Sequence, residues 1–237
     1  MTSRPVEAVV FDWGGTLADF VALEMIDVWT LAGRHLAPGR ESEVAERLCA
    51  VETRFWERTA GECRSATLAE LVAEASAELG LDVGEAVLEE AAVRHLDAWT
   101  PHIRHAGDAR ATLVTLRERG LRLGLLSNTH WPRAFHERFL ERDGLVGLLD
   151  ARLYTSEMAH LKPHPSVFER ALEALGVDDP RTAVFVGDRP YDDVWGAKRA
   201  GLRGVLVAND HAPAWDVTPD ATITSLSELP GVLDAWS

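Results

Sequence analysis

Lysine is almost missing from this chain of 237 residues. Only Lys162 and Lys198 occur, beside 22 arginines. The arginine excess reads as codon bias in a genome rich in G and C, which leaves the two lysine positions as the informative ones. Cysteine is equally scarce, with Cys49 and Cys63 alone. They have no metal-ligand spacing and build no disulfide framework, so a reducing compartment, the cytoplasm, is expected. Apolar runs long enough to span a bilayer as a helix are lacking. The opening MTSRPVEAVVFDW reaches an aspartate too soon for a signal peptide. Net positive charge is lacking too: the formal charge is −14. That disfavours nucleic acid and anionic membranes as partners, because both require clustered Lys and Arg. Repeats and low-complexity segments are also missing.

What remains is a globular composition. Hydrophobic residues make up 46% of the chain, enough for a packed core. Short apolar runs without clean alternation recur at 6–11, 121–126, 182–187 and 203–207, with weaker ones at 221–225 and 150–155. Such runs fit strands buried on both faces. Helical patterns separate them. GDARATLVTLRERG stops at Gly120, and PSVFERALEALG opens on Pro165 and closes on Gly176, the expected asymmetry. PYDDVWGAKRAG reads the same way. Strands alternating with helices imply βαβ units and a Rossmann-like parallel sheet.

Residues 20–98 break the rhythm. Val44, Leu48, Val51 and Phe55 fall on one helix face, and LAELVAEASAELG is another helix. This block carries seven basic and 16 acidic residues. It reads as an α-helical insert, with crossings near Phe20 and at 99–107. The domain expectation is therefore an α/β core of 1–19 and 99–237 and a helical cap of 20–98.

Four polar spots each follow a strand or precede a helix. Ligands of open parallel sheets bind outside the carboxyl ends of the strands. Asp12 sits at such an end, as a turn cap or as a functional carboxylate. Gly14 and Gly15 beside it let the backbone approach a ligand and aim N–H groups at an anion. Ser127 and Asn128 follow the second core strand, suited to a phosphate oxygen or to helix capping. Lys162 lies just before a Pro-flanked helix start. Asp188, Asp192 and Asp193 crowd one short segment, and a divalent cation such as Mg²⁺ would relieve their repulsion.

In that chain order, FDWGGTL, LLSN, LKPHPSVF and VFVGDRPYDDVWGAKRAG resemble the haloacid dehalogenase-like hydrolase superfamily, subfamily I. The likeness covers residues 5–18 and about 100–237; the helical insert matches the C1 cap by position only. The resemblance implies a mobile helical cap, Mg²⁺, and transfer of a phosphoryl group to an aspartate. It assigns Asp12 as nucleophile. The Gly14 carbonyl, Asp12, Asp188 and Asp193 (Asp192 as rival) would hold Mg²⁺. Ser127, Lys162, Asn128, Gly15 and Thr16 would place the phosphate, with Ser127 and Lys162 serving catalysis. The implied activity is a Mg²⁺-dependent phosphatase for a small phosphorylated metabolite, acting as monomer or homodimer.

One position departs from the pattern. The superfamily's phosphatases resemble D-x-D-G-T, and the second Asp serves as general acid and base. Here it is Gly14. Acid–base help of that kind is typically worth about 10²–10⁴ in rate. Phosphonoacetaldehyde hydrolases resemble D-W-A-G-T but need a cap lysine, and residues 20–98 contain none. Dehalogenases expel halide without a proton, yet they work without Mg²⁺ and lack the triply acidic fourth motif. The alternatives are therefore a hydrolase for activated leaving groups (acyl phosphate or haloacid) and a weakened metabolite-binding pseudoenzyme. His130 is the first candidate for a substitute acid or base, its other reading being a surface or capping histidine. Arg54 and Arg58 are expected either at a substrate anion or paired with Glu57 or Glu62.

Overall fold

The computed structural model describes residues 5–19, 21, 23–59 and 61–236. Six strands form one sheet: β1 (Ala8–Phe11), β2 (Arg122–Ser127), β3 (Ala151–Tyr154), β4 (Ala183–Gly187), β5 (Arg203–Val207) and β6 (Ala221–Ile223). Their order is β3-β2-β1-β4-β5-β6, and every pairing is parallel. All six apolar runs of the sequence are strands: 203–207 keeps its bounds, 121–126 shifts by one residue to end on Ser127, and the other four are trimmed by a residue or two. The two central ones, β1 and β4, are buried throughout, which is why they read as unbroken apolar runs.

Between β1 and the next core helix lie α1 (Met25–Leu36), α2 (Glu41–Thr59), α3 (Leu68–Glu78) and α4 (Glu85–Trp99). They form the α-helical cap around their own core of Trp29, Val44, Leu48, Val51, Phe55, Leu71 and Val72. The apolar stripe read from the sequence is the buried face of α2. A capping box starts α3: Thr67 accepts from the Glu70 amide while the Glu70 carboxylate accepts from the Thr67 amide at 2.7 Å. Phe20, the expected first crossing, lies outside the described residues.

The remaining helices are α5 (Ala109–Glu118), α6 (Arg133–Arg142), α7 (Pro165–Leu175), α8 (Gly196–Arg199) and α9 (Leu229–Asp234). The side chains of β1 alternate between the two faces of the sheet. Val9 and Phe11 join the core that α5, α6 and α9 cover, and Ala8 and Val10 join the core under α7 and α8. One expected helix differs: Pro190–Trp195 winds as a π-helix before α8 takes over. Widened turns of this kind gather at functional sites, and this one carries Asp192 and Asp193.

Candidate active site

Register places the site. Phe11 of β1 pairs with Leu125 of β2 and Val186 of β4. Asp12, Ser127 and Asp188 therefore leave three adjacent strands at the same edge of the sheet. The strand order reverses between β1 and β4, the point where open sheets leave a crevice.

Lys162 ties the site together. It follows the cap-packed Leu161, and its ammonium is 1% exposed. Nζ donates to Asp12 Oδ1 at 2.6 Å and to Asp193 Oδ1 at 2.6 Å. Burial pulls the ammonium down, but Asp12 and Asp193 outweigh it and hold it above the ordinary lysine value. Burial pushes the Asp12 carboxyl up to about 7 against the lowering pull of Lys162, with Asp193 and Asp188 adding to the rise. Asp188 goes to about 6, again through burial and then Asp193. Buried carboxylates this close repel unless cations sit among them.

The carboxylates of Asp12, Asp188 and Asp193 offer oxygens within 4.8 Å of one another. Asp192 is not in that cluster; burial and Asp193 raise its carboxyl to about 6, and it lines the neighbouring cavity. Mg²⁺ fits this donor set on two grounds. The ligands are hard oxygens. In addition, Asp188 Oδ1 is buried with no hydrogen-bond partner among the described residues. The other oxygen, Oδ2, accepts from Asn209 at 2.6 Å.

The glycines explain the approach. Gly15 has φ +78°, and a Cβ there would fall on the Asp188 carboxylate. Likewise a Cβ on Gly187 would meet the carboxylate of Asp193, whose Oδ2 accepts from the Arg189 amide at 2.9 Å. Gly14 is different: a Cβ there meets nothing within 4 Å.

The other sequence candidates sort by their partners. Ser127 is buried at the end of β2, and Thr16 Oγ1 is buried without a partner among the described residues. Asn128 lines the cavity, and each end of its amide also bonds the Lys162 backbone. Its Oδ1 accepts from the Lys162 amide at 2.8 Å and its Nδ2 donates to the Lys162 carbonyl at 3.0 Å. It fixes the chain that carries the ammonium. His130 needs correcting: it is neither a surface residue nor a cap, but 3% exposed. Burial drives its imidazole down to about 3, so it is neutral near pH 7 and has no proton to give as an acid. Arg54 also differs from expectation. It bonds Glu78 at 2.6 Å and Glu74 at 3.1 Å, a bridge from α2 to α3. The Arg58 side chain lies outside the described residues.

Two contributors escaped the sequence reading. Asn209 lies just past β5, where the rule that flagged Asp12 and Asp188 applies equally. Glu52 sits on α2, four residues after Leu48 and three before Phe55, a carboxylate within an apolar stripe. It is 8% exposed, and its Oε2 accepts from Trp29 Nε1 at 2.7 Å.

A cavity of about 430 Å³ opens over the cluster. Asp12, Gly14, Ser127 and Lys162 line it from the core, and Met25, Glu52 and Trp56 from the cap. A larger groove of about 630 Å³ beside β3 and α7 contains none of the clustered carboxylates.

This fold and this site define a hydrolase. The family model of haloacid dehalogenase-like hydrolases matches residues 6–201. The chain belongs to that family. It is similar to a 2-haloacid dehalogenase of Pseudomonas syringae, with TM-score 0.74 and 25% identity over 98% of this chain and 100% of that one. A glyceraldehyde 3-phosphate phosphatase of Pyrococcus abyssi is 35% identical over 104 residues, 44% of this chain and 42% of that protein. A phosphonoacetaldehyde hydrolase of Bordetella pertussis is 29% identical over 211 residues, 87% of this chain and 75% of that protein. The chain spans about half the length of the phosphatases it matches.

Proposed function

We propose that this protein is a Mg²⁺-dependent phosphatase acting on a small phosphorylated metabolite through an aspartyl-phosphate on Asp12. The observation that carries this reading is the Lys162 ammonium bonded to both Asp12 and Asp193, beside Asp188, at the end of the central strand. A phosphatase must bring two anions together, and such a site supplies the charge for it. The relatives named as phosphatases agree with it.

In this mechanism an Asp12 carboxylate oxygen attacks phosphorus and the bond to the substrate oxygen breaks, giving an acyl phosphate and an alcohol. Water then attacks that phosphorus and frees Asp12. Lys162 favours the ionised form of Asp12 against the effect of burial and neutralises phosphate oxygens, Ser127 binds one of them, and Asn128 holds Lys162 in place. Mg²⁺, held by Asp12, the Gly14 carbonyl, Asp188 and Asp193, would offset charge on the transferring group. The lack of lysine in residues 20–98 argues against Schiff-base chemistry on phosphonoacetaldehyde.

The test is phosphate release from p-nitrophenyl phosphate with Mg²⁺ and with excess chelator. Release that stops on chelation, and stops in Asp12→Asn, supports the reading. Halide release from 2-chloropropionate in the presence of chelator, without phosphate release, would replace it with a dehalogenase.

A further inference from the structure

Gly14 has no side chain to carry a proton, yet the group leaving an alkyl phosphate is a strongly basic alkoxide. The same cavity that holds Asp12 contains few groups able to supply one. Lys162 is committed to Asp12 and Asp193. Asp12 and Asp188 belong to the carboxylate cluster, and Asp192, outside it, sits next to its member Asp193 and faces Arg189 at 3.8 Å. His130 and His136 are pulled by burial to about 3 and are neutral near pH 7. Asp19 is exposed to bulk solvent. Glu52 remains.

Its surroundings are unlike those of a stray helix carboxylate. Trp29 donates to Oε2 at 2.7 Å, and the Trp56 side chain hydrogen-bonds it as well. His130 Nε2 lies 3.5 Å from Oε1. His95, from α4, stacks on Trp29 with ring centroids 3.7 Å apart and stands 6.2 Å from His130. Both histidines are shifted downward by burial, so the charged groups closest to Glu52 offer no cation to hold it ionised. Cys49, one turn earlier on α2, is itself pushed up by burial and then by Glu52. The apolar setting raises the Glu52 carboxyl, chiefly by burial. A carboxyl whose hold on its proton is strengthened by burial, lining the same cavity as the nucleophile, has the character of a general acid.

We propose that Glu52, carried on cap helix α2, replaces the carboxylate missing at position 14 as the acid and base of the reaction. This rests on the phosphatase reading above. As Asp12 bonds to phosphorus and the phosphorus–oxygen ester bond breaks, the Glu52 carboxyl gives its proton to the departing alkoxide, which leaves as the alcohol. The resulting carboxylate then takes a proton from the water that attacks the acyl phosphate. The bond from phosphorus to Asp12 breaks, inorganic phosphate leaves, and Glu52 is protonated again. The indoles of Trp29 and Trp56 orient the carboxyl throughout. Acid and nucleophile line the same cavity, one from the cap and one from the core.

The test uses Glu52→Gln, which keeps size and an oxygen acceptor for Trp29, on two probes: glycerol 1-phosphate and p-nitrophenyl phosphate. The expected result is a kcat loss of about 10²–10⁴ on the alkyl ester and under tenfold on the aryl ester, whose leaving group needs no proton. Gly14→Asp added to Glu52→Gln restores the alkyl rate by at least about tenfold, the low end of the same acid–base contribution. Equal losses on both esters, or no loss on the alkyl ester, overturn this inference alone. No release from either ester by the unsubstituted protein overturns both this inference and the phosphatase reading.

Discussion

Gly14 and Gly15 are neighbours with opposite tolerances. Gly15 occupies the left-handed region with the Asp188 carboxylate where its Cβ would be. Gly15→Ala should abolish turnover and lower the melting temperature, since something must shift at the acidic edge. Gly14 has open space around it. Gly14→Asp should fold normally and change kcat on alkyl phosphates by less than about tenfold, because Glu52 already supplies the proton. Steady-state kinetics and a thermal melt of both variants check this. At this scale the sequence was partly legible. Asp12, Ser127 and Asp188 each also read as a cap or a loop residue, and stood out because together with Lys162 they fall on one edge of the sheet. Lys162 stood out because lysine is so rare. Glu52 did not, because a carboxylate in an amphipathic helix normally faces water, and only the packing of Trp29 and Trp56 around it reveals otherwise.

The strands were read from β1 to β6 because burial on both faces leaves an unbroken apolar run. Weak β3 and β6 were marked with less pattern, being short and at the sheet edges. The π-wound start before α8 was not legible. Its Asp193 side chain packs over Gly187, a contact between side chain and backbone that periodicity does not register. Buried histidines were likewise invisible, since exposure and burial look alike for a single imidazole in a sequence. His136 on α6 is 0% exposed; its Nε2 lies 3.1 Å from Thr129 Oγ1, and its ring stacks on Tyr154. Burial holds its folded-state pKa at about 3, against 6.5 for the free group. Between those values the unfolded chain binds a proton that the folded chain refuses. Stability from this residue is therefore present above pH 6.5 and is lost as pH falls. The slope is at most about 1.4 kcal/mol per pH unit. The raised carboxyls of Asp12, Asp188 and Asp192 act in the opposite sense, because the folded state there binds more protons. The difference between wild type and His136→Gln isolates the histidine. Urea unfolding at pH 6 and pH 5 should show the variant losing less stability over that interval than wild type; an equal loss would refute the buried neutral imidazole.

On the scale of the whole molecule, the helical insert and the sheet edge divide the work. The core brings the Asp12 carboxylate, the Lys162 ammonium and the acidic cluster together at one edge of the sheet. The cap closes the cavity with Met25, Trp56 and Glu52 and carries much of the net negative charge. Arg54 ties α2 to α3 rather than reaching into the cavity, so the cap contributes helix-to-helix bridges as well as cavity wall. That division makes the cap the source of substrate choice and the core the source of reaction type. The central claim concerns the core: phosphorus bonds covalently to Asp12 during turnover. Rapid acid quench during hydrolysis of p-nitrophenyl phosphate, borohydride reduction and peptide mass spectrometry read it directly, because reduction of an aspartyl-phosphate leaves homoserine at that position. The account predicts homoserine at position 12 and at no other aspartate, and none in Asp12→Asn. Phosphate released at full rate with position 12 still aspartate after reduction, or homoserine at another position, would contradict it.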